Sequence, residues 1–339
     1  MSTISADVAQ PPAGDDAPDA PRTITHTRTG VDRLFRRLAV GAGLATFVIL
    51  FLIGVFLLIK SWPAFHMMGL KFFTTSRWDP ESTHVFGIAA ILYWTFAIAI
   101  IALLIAVPLS IATALFITEY APRRLRRWMI SLVDLLAAIP SIIYGIWGLA
   151  FLEPRLVGVS AYISRNFGFI PFFKVPGTNL DPGEFAASAF VAGVIVSLMV
   201  LPICTSIIRE VFSQTPPGEK EAALALGGSR WGMIRSVVLP FGRGGIIGGS
   251  MLGLGRALGE TIAVALVISP IFTISIHVLA TGANGVAPLI ALRFGEATQK
   301  YGIPALMAAG LTLFVVTLLV NFAASAVVAR SRSGKGVEI

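Results

Sequence analysis

Residues 214–240 read Gln-Thr-Pro-Pro-Gly-Glu-Lys-Glu-Ala-Ala-Leu-Ala-Leu-Gly-Gly-Ser-Arg-Trp-Gly-Met-Ile-Arg-Ser-Val-Val-Leu-Pro, a polar stretch set between two apolar runs at 185–208 and 244–271. Pro216 and Pro217 suit a helix start, since the first turn leaves backbone donors unused anyway. Glu219 and Glu221 follow where the helix macrodipole favours anions, and Gly227 and Gly228 supply a stop. About three turns of helix are expected, with a small-residue surface from Ala222, Ala223 and Ala225. A second short helix should carry Trp231, Ile234 and Val238 at helical spacing and end at Leu239-Pro240. A small-faced helix held out on such an elbow suits a groove of a soluble partner. The competing reading is a hairpin lying on lipid. That form needs a broad apolar face flanked by basic residues, which this loop lacks.

Outward from this loop the chain is apolar. Of its 339 residues 55% are hydrophobic and 13% charged, and the mean hydropathy is +0.82. Soluble domains carry about 25% charged residues, so a soluble enzyme, a disordered regulator and a disulfide-stapled module are excluded. The net charge of +8 does not point to nucleic acid, because the basic residues sit in short clusters between apolar runs. The single cysteine, Cys204, lies inside such a run and excludes disulfides and cysteine-rich metal sites.

Six segments approach the roughly 20 apolar residues that a span requires: 38–59, 86–118, 128–152, 185–208, 244–271 and 303–329. The expected fold class is therefore an all-α integral membrane protein of six transmembrane helices. Pro108, Pro140 and Pro202 interrupt the second, third and fourth. Such breaks either face a cavity or are packing kinks. The Pro- and Asp-rich residues 1–30 cannot bury enough surface to order themselves and read as a disordered cytosolic tail. A transmembrane domain then occupies 31–332, with the loop at 213–240, and a short tail 333–339 follows. Seventeen of the 26 Lys and Arg fall in the two tails and the 119–127 and 209–243 loops, and eight in the other three loops. The positive-inside bias places both termini in the cytosol. Arg123, Arg124, Arg126 and Arg127 form the strongest anchor, read as a topology signal.

One basic residue stands inside a span. Arg256 and Glu260 are four apart, and at 100° per residue Gly249, Gly253, Arg256 and Glu260 fall within about an 80° arc, with Gly245 on the same side. The glycines allow close approach of another helix, so the stripe should face the bundle interior or a partner. An intramembrane charge is a functional hypothesis by default. A guanidinium stays protonated and binds phosphate oxygens in a fork, so Arg256 suits a permeating anion. Glu260 would neutralise it at rest or accept a hydrogen bond from a protonated oxygen of the anion. The alternative is an ion pair that only registers helices. Asp134, Ser141, Tyr144 and Asn321 are weaker candidates, more simply explained by structural hydrogen bonds.

Glu221-Ala222-Ala223, three residues, Gly227, nine residues, Val237, one residue and Leu239-Pro240 resemble the EAA loop of importer-type ABC permeases, with Val237 in place of the usual Ile. Residues 136–148, Leu-Ala-Ala-Ile-Pro-Ser-Ile-Ile-Tyr-Gly-Ile-Trp-Gly, and 253–263, Gly-Leu-Gly-Arg-Ala-Leu-Gly-Glu-Thr-Ile-Ala, resemble phosphate-uptake permeases of the PstC type. The resemblance implies a type I (MetI-like) permease fold. It also implies a heterodimeric pore with a PstA-type permease, a homodimeric PstB-type ATPase that carries ATP and Mg, and a PstS-type binding protein outside. This chain itself would bind no cofactor. Glu221, Ala222, Ala223 and Gly227 would contact the ATPase, and Arg256 and Glu260 would lie on the substrate pathway.

Two rival classes meet the residues poorly. An intramembrane enzyme needs its catalytic set in the spans, yet no His-Glu-x-x-His and no Gly-x-x-x-x-Gly-Lys-Ser/Thr occurs. A secondary transporter would accommodate midplane charges but has no use for an EAA loop. Sulfate and molybdate remain alternative substrates, since an external binding protein sets selectivity.

Overall fold

A computed structural model describes residues 30–176, 181–297 and 300–331, with side chains to residue 326. The two expected tails lie outside these residues, apart from Gly30 at the edge of the first. The chain divides into two units, Met1–Leu52 and Ile53–Ile339. The described part of the first is uninterrupted, exposed helix.

In chain order the helices are α1 (Gly30–Met68), α2 (Ala89–Leu115), α3 (Arg123–Ala138), α4 (Ser141–Trp147), α5 (Glu153–Phe167), α6 (Ala189–Ser213), α7 (Pro217–Ala225), α8 (Arg230–Met233), α9 (Leu239–Leu258), α10 (Ile262–Val267), α11 (Val286–Arg293) and α12 (Gly302–Ser331). One small antiparallel hairpin pairs Trp78 with Phe86 and Asp79 with Val85. Single π-turns at 116–120, 148–152 and 234–238 extend or join helices. Among the described residues six helical runs are long and apolar enough to cross a membrane: 30–73, 89–120, 141–167, 189–213, 230–258 and 302–326. The expected all-α, six-span architecture holds, with two of the spans redrawn.

The third span is shifted. Sequence placed it at 128–152, with Pro140 as an internal break and Glu153 in an outer loop. Instead Pro140 separates two elements. The residue before a proline is driven out of the helical region, and Ile139 is extended at φ −67°, ψ 129°. The span therefore starts at Ser141 and runs through the π-turn into α5, with Glu153 buried inside it. Glu153 Oε1 accepts the Ala187 N–H at 2.9 Å, while its other oxygen is buried without a partner among the described residues. The stretch before Pro140 is the separate helix α3, whose Val133 is buried.

The fifth span is also redrawn. Pro240 does not end a helix, because the π-turn at 234–238 just ahead of it lets α8 run into α9 as one span. A π-turn widens the hydrogen-bond ladder where the proline ring would otherwise meet the preceding turn. The span then stops at Leu258, thirteen residues before the expected end at 271. Gly259 caps it, and the chain continues through short α10 into extended backbone at Ile268.

The body is built around α6, which packs against α2, α9 and α3. Small residues permit this closeness. A Cβ added at Gly193 would stand 2.5 Å from Ile101 of α2, and one at Gly253 would stand 2.6 Å from Cys204 Sγ of α6. Gly245, Gly249 and Gly253 are all buried on the α6 side of α9, as the interior stripe required. Overpacking at Gly253 would cost about 1–3 kcal/mol. Pro108 and Pro202 leave α2 and α6 unbroken, and Ser110 Oγ donates to the Leu201 carbonyl at 3.0 Å across the pair.

Candidate functional site

The loop of residues 214–240 forms a compact elbow. Pro217 opens α7, and Gly227 adopts φ +83° just beyond its end. The Gly228 N–H reaches the Ala223 carbonyl at 3.2 Å and the Leu226 N–H the Ala222 carbonyl at 3.1 Å. A left-handed glycine followed by a six-to-one hydrogen bond is the Schellman termination. Nothing lies within 4 Å of a Cβ built on Gly227, so the glycine is required by its dihedral and not by crowding. Ser229 then caps the next helix, its Oγ accepting the Gly232 N–H at 3.1 Å.

Glu221, Ala222 and Gly227 are exposed, whereas Ala223 turns inward and packs against the core. Ala223, expected on the partner-facing surface, is half-buried. With Lys220 it forms the inner edge of α7, as an i, i+3 pair. The outer side instead shows Leu224 and Leu226, the latter 90% exposed, while Trp231 of α8 lines a recess with Pro108, Ile111 and Leu115 of α2. Ile234 and Val238 are fully buried, so the expected stripe Trp231, Ile234, Val238 is apolar but divided between surface and core.

The second locality is the end of α9. Arg256 sits in its last turn, exposed, and lines a cavity of about 740 Å³ with Leu57, Leu252, Gly255, Phe314, Thr317 and Asn321 among its walls. Gly255 brings α9 close to α12, since a Cβ there would lie 3.2 Å from Asn321 Oδ1. Glu260 does not share a helix face with Arg256. It follows the Gly259 cap, where the helical phase is lost, and is 9% exposed. No acidic side chain among the described residues comes within 4.0 Å of Arg256, so the expected ion pair is absent. Asn321 and Thr317, not Glu260, are the polar side chains that share the cavity of Arg256.

The weaker sequence candidates resolve simply. Tyr144 donates its hydroxyl to the Leu136 carbonyl at 3.0 Å, and Asp134 accepts from Ser206 Oγ at 3.2 Å. Sequence reasoning missed Glu119, Lys220 and Glu153. Glu153 was signalled by its nearness to an apolar run, while the other two become visible only once α7 is folded against α2.

Six helical runs able to cross a membrane, an elbow with an exposed Glu-Ala face and Arg256 beside a cavity fit a membrane permease of the binding-protein-dependent type. Residues 106–333 match the family described as "Binding-protein-dependent transport system inner membrane component", and the chain belongs to that family. Among curated relatives it is 42% identical over 298 residues to the phosphate transport system permease protein PstC 2 of Mycobacterium tuberculosis, covering 87% of this chain and 91% of that one. It is 36% identical to the phosphate transport system permease protein PstC of Haemophilus influenzae, covering 91% and 96%. The MetNI methionine ABC transporter in an inward-facing conformation overlays 72% of this chain and 94% of its own at 17% identity and a TM-score of 0.47.

Proposed function

We propose that this chain is the transmembrane permease subunit of an ATP-driven phosphate importer, forming half of the pore and coupling it to cytosolic ATPases. The carrying observation is the identity of 36–42%, over most of both chains, to permeases named for phosphate transport. The geometry supports the same reading in two places. The exposed face of Glu221, Ala222 and Gly227 is available to an ATPase groove, and Arg256, with no acidic partner among the described residues, offers a guanidinium to an anion. A doubly hydrogen-bonding fork on phosphate oxygens needs a cation that is not already neutralised.

In this reading the partners are a PstA-type permease, a PstB-type ATPase dimer holding ATP and Mg, and a PstS-type binding protein. Both termini and the 213–240 loop are cytosolic. Energy enters by closure of the ATPases on α7, and the anion passes Arg256 between the two permeases. The test is ATP-dependent uptake of labelled phosphate and sulfate by the complex reconstituted in liposomes. Uptake of phosphate in preference to sulfate is expected, and preference for sulfate or molybdate would reassign the substrate. The purified chain alone should not hydrolyse ATP.

A further inference from the structure

Helix α3 lies outside the 214–240 elbow and contributes no residue to the cavity of Arg256. Its 16 residues carry Arg123, Arg124, Arg126 and Arg127 in the opening turns and a single acid, Asp134, which faces Ser206 of α6. Arg126 Nη2 donates to the Thr118 carbonyl, and Glu119 next to it is taken by Lys220. Arg123, Arg124 and Arg127 therefore have no acidic partner within 4.0 Å among the described residues. Together with Trp128 they line a recess of about 360 Å³. On the same helix Leu125, Trp128, Leu132 and Leu135 are exposed, Trp128 to 78%. At 100° per residue these four fall within about an 80° arc.

The joints fix where this helix lies. Two residues, Ala121 and Pro122, separate α3 from the second span, and two more, Ile139 and Pro140, from the third. Two extended residues reach about 7 Å, so neither end of α3 can leave the membrane boundary. Leaving a leucine in water forgoes about 1.5–3 kcal/mol relative to burial, so the exposed apolar stripe belongs in the acyl boundary. The arginines then lie at headgroup depth.

We propose that the recess of Arg123, Arg124, Arg127 and Trp128 binds the phosphate of an anionic glycerophospholipid, whose acyl chains lie along Leu125, Leu132 and Leu135. Guanidinium forks match the phosphodiester oxygens, and basic clusters immediately beside a span recruit anionic headgroups. The inference is independent of the transported substrate, because a lipid site serves any permease of this build.

The test uses the complete transporter, assembled with its partner subunits, in nanodiscs of phosphatidylcholine with one fifth phosphatidylglycerol, followed by extraction and native mass spectrometry of retained lipid. Phosphatidylglycerol should be retained over phosphatidylcholine. Each of Arg123→Gln, Arg124→Gln and Arg127→Gln should lower retention about five-fold, equivalent to ~1 kcal/mol per basic residue at an anionic surface. Arg124→Lys should hold most of it. Trp128→Ala leaves every orienting charge in place, and should also reduce retention. Wild-type retention in all of these variants, or no preference for phosphatidylglycerol, overturns the site. Displacement by excess inorganic phosphate, with labelled phosphate bound in its place, would show a free-anion site and also overturn it.

Discussion

Lys220 Nζ lies 2.7 Å from Glu119 Oε1, a salt bridge that joins α7 to the end of the second span. Within α7 the two side chains that turn inward are Lys220 and Ala223, so this pair is the polar half of the grip on that helix. The Glu119 side chain is 9% exposed and that of Lys220 21%, between the surface and buried regimes. Losing one partner should cost about 1–3 kcal/mol, above the surface value and below the fully buried one. Lys220→Met is expected to lower the phosphate moved per ATP hydrolysed in the reconstituted complex, because α7 can shift without drawing α2 with it. The exchange Glu119→Lys with Lys220→Glu should regain most of that ratio. An exchanged variant no better than the single one would show that the surroundings, not the pair, hold the helix.

Gly227 offers a sharper separation of local and partner effects. Its φ of +83° is strained for a β-branched residue and tolerable for asparagine. Gly227→Val should reposition the elbow and abolish coupling at normal expression, while Gly227→Asn should retain a substantial share of uptake. Equal loss in both would assign the requirement to contact with the ATPase and not to the turn. Uptake of phosphate by each variant, normalised to protein in the membrane, is the measurement.

How far these features could be read from the sequence depended on their range. The Schellman stop at Gly227 and Gly228 was legible because it is set by a few adjacent residues. The glycine face of α9 was legible because Gly245, Gly249 and Gly253 keep helical phase. The third span was misplaced because residues 128–139 are apolar enough to pass for membrane, and Glu153 looked like an end signal. Tertiary burial overrides that: the span continues through Glu153 into α5, and the Ala187 N–H meets the Glu153 carboxylate. The Arg256–Glu260 pairing failed for a local reason of another kind. Gly259 stops the helix between them, and four-residue spacing means a shared face only while the helix lasts.

Glu153 gives a direct check on the redrawn third span. Glu153→Gln keeps a carbonyl oxygen for the Ala187 N–H and should fold nearly as well as wild type. Glu153→Leu leaves that buried donor unmet, a loss of about 1–3 kcal/mol, and should lower the thermal midpoint of the purified complex. Equal midpoints for the two variants would place Glu153 outside the packed span.

Orientation is tested with single cysteines, since native Cys204 is fully buried and should resist labelling. Ser82→Cys, in the hairpin region after α1, should react with an impermeant maleimide from outside whole cells. Ser229→Cys, at the cap of α8, should react only after the membrane is opened. Labelling of Ser229→Cys in intact cells would put α7 on the side away from the ATPases.

Arg256 stands 16 residues beyond Pro240 on one helix, about 24 Å at 1.5 Å per residue, in the last turn of the 230–258 span. A charge inside a span is retained by pairing or by use, and Glu260 does not pair with it. Arg256→Gln is therefore expected to assemble with the ATPase and fail to transport phosphate, with little change in stability, because no partner is stranded. The double change Arg256→Leu with Glu260→Leu should not restore uptake, since there is no pair to remove as a unit. Asn321→Leu, across the cavity beside Gly255, should reduce uptake less than Arg256→Gln, acting through KM while leaving assembly intact. Uptake kinetics and thermal midpoints of the three complexes together decide the case. Near-normal transport by the double variant would rule out Arg256 as a required contact of the permeating anion.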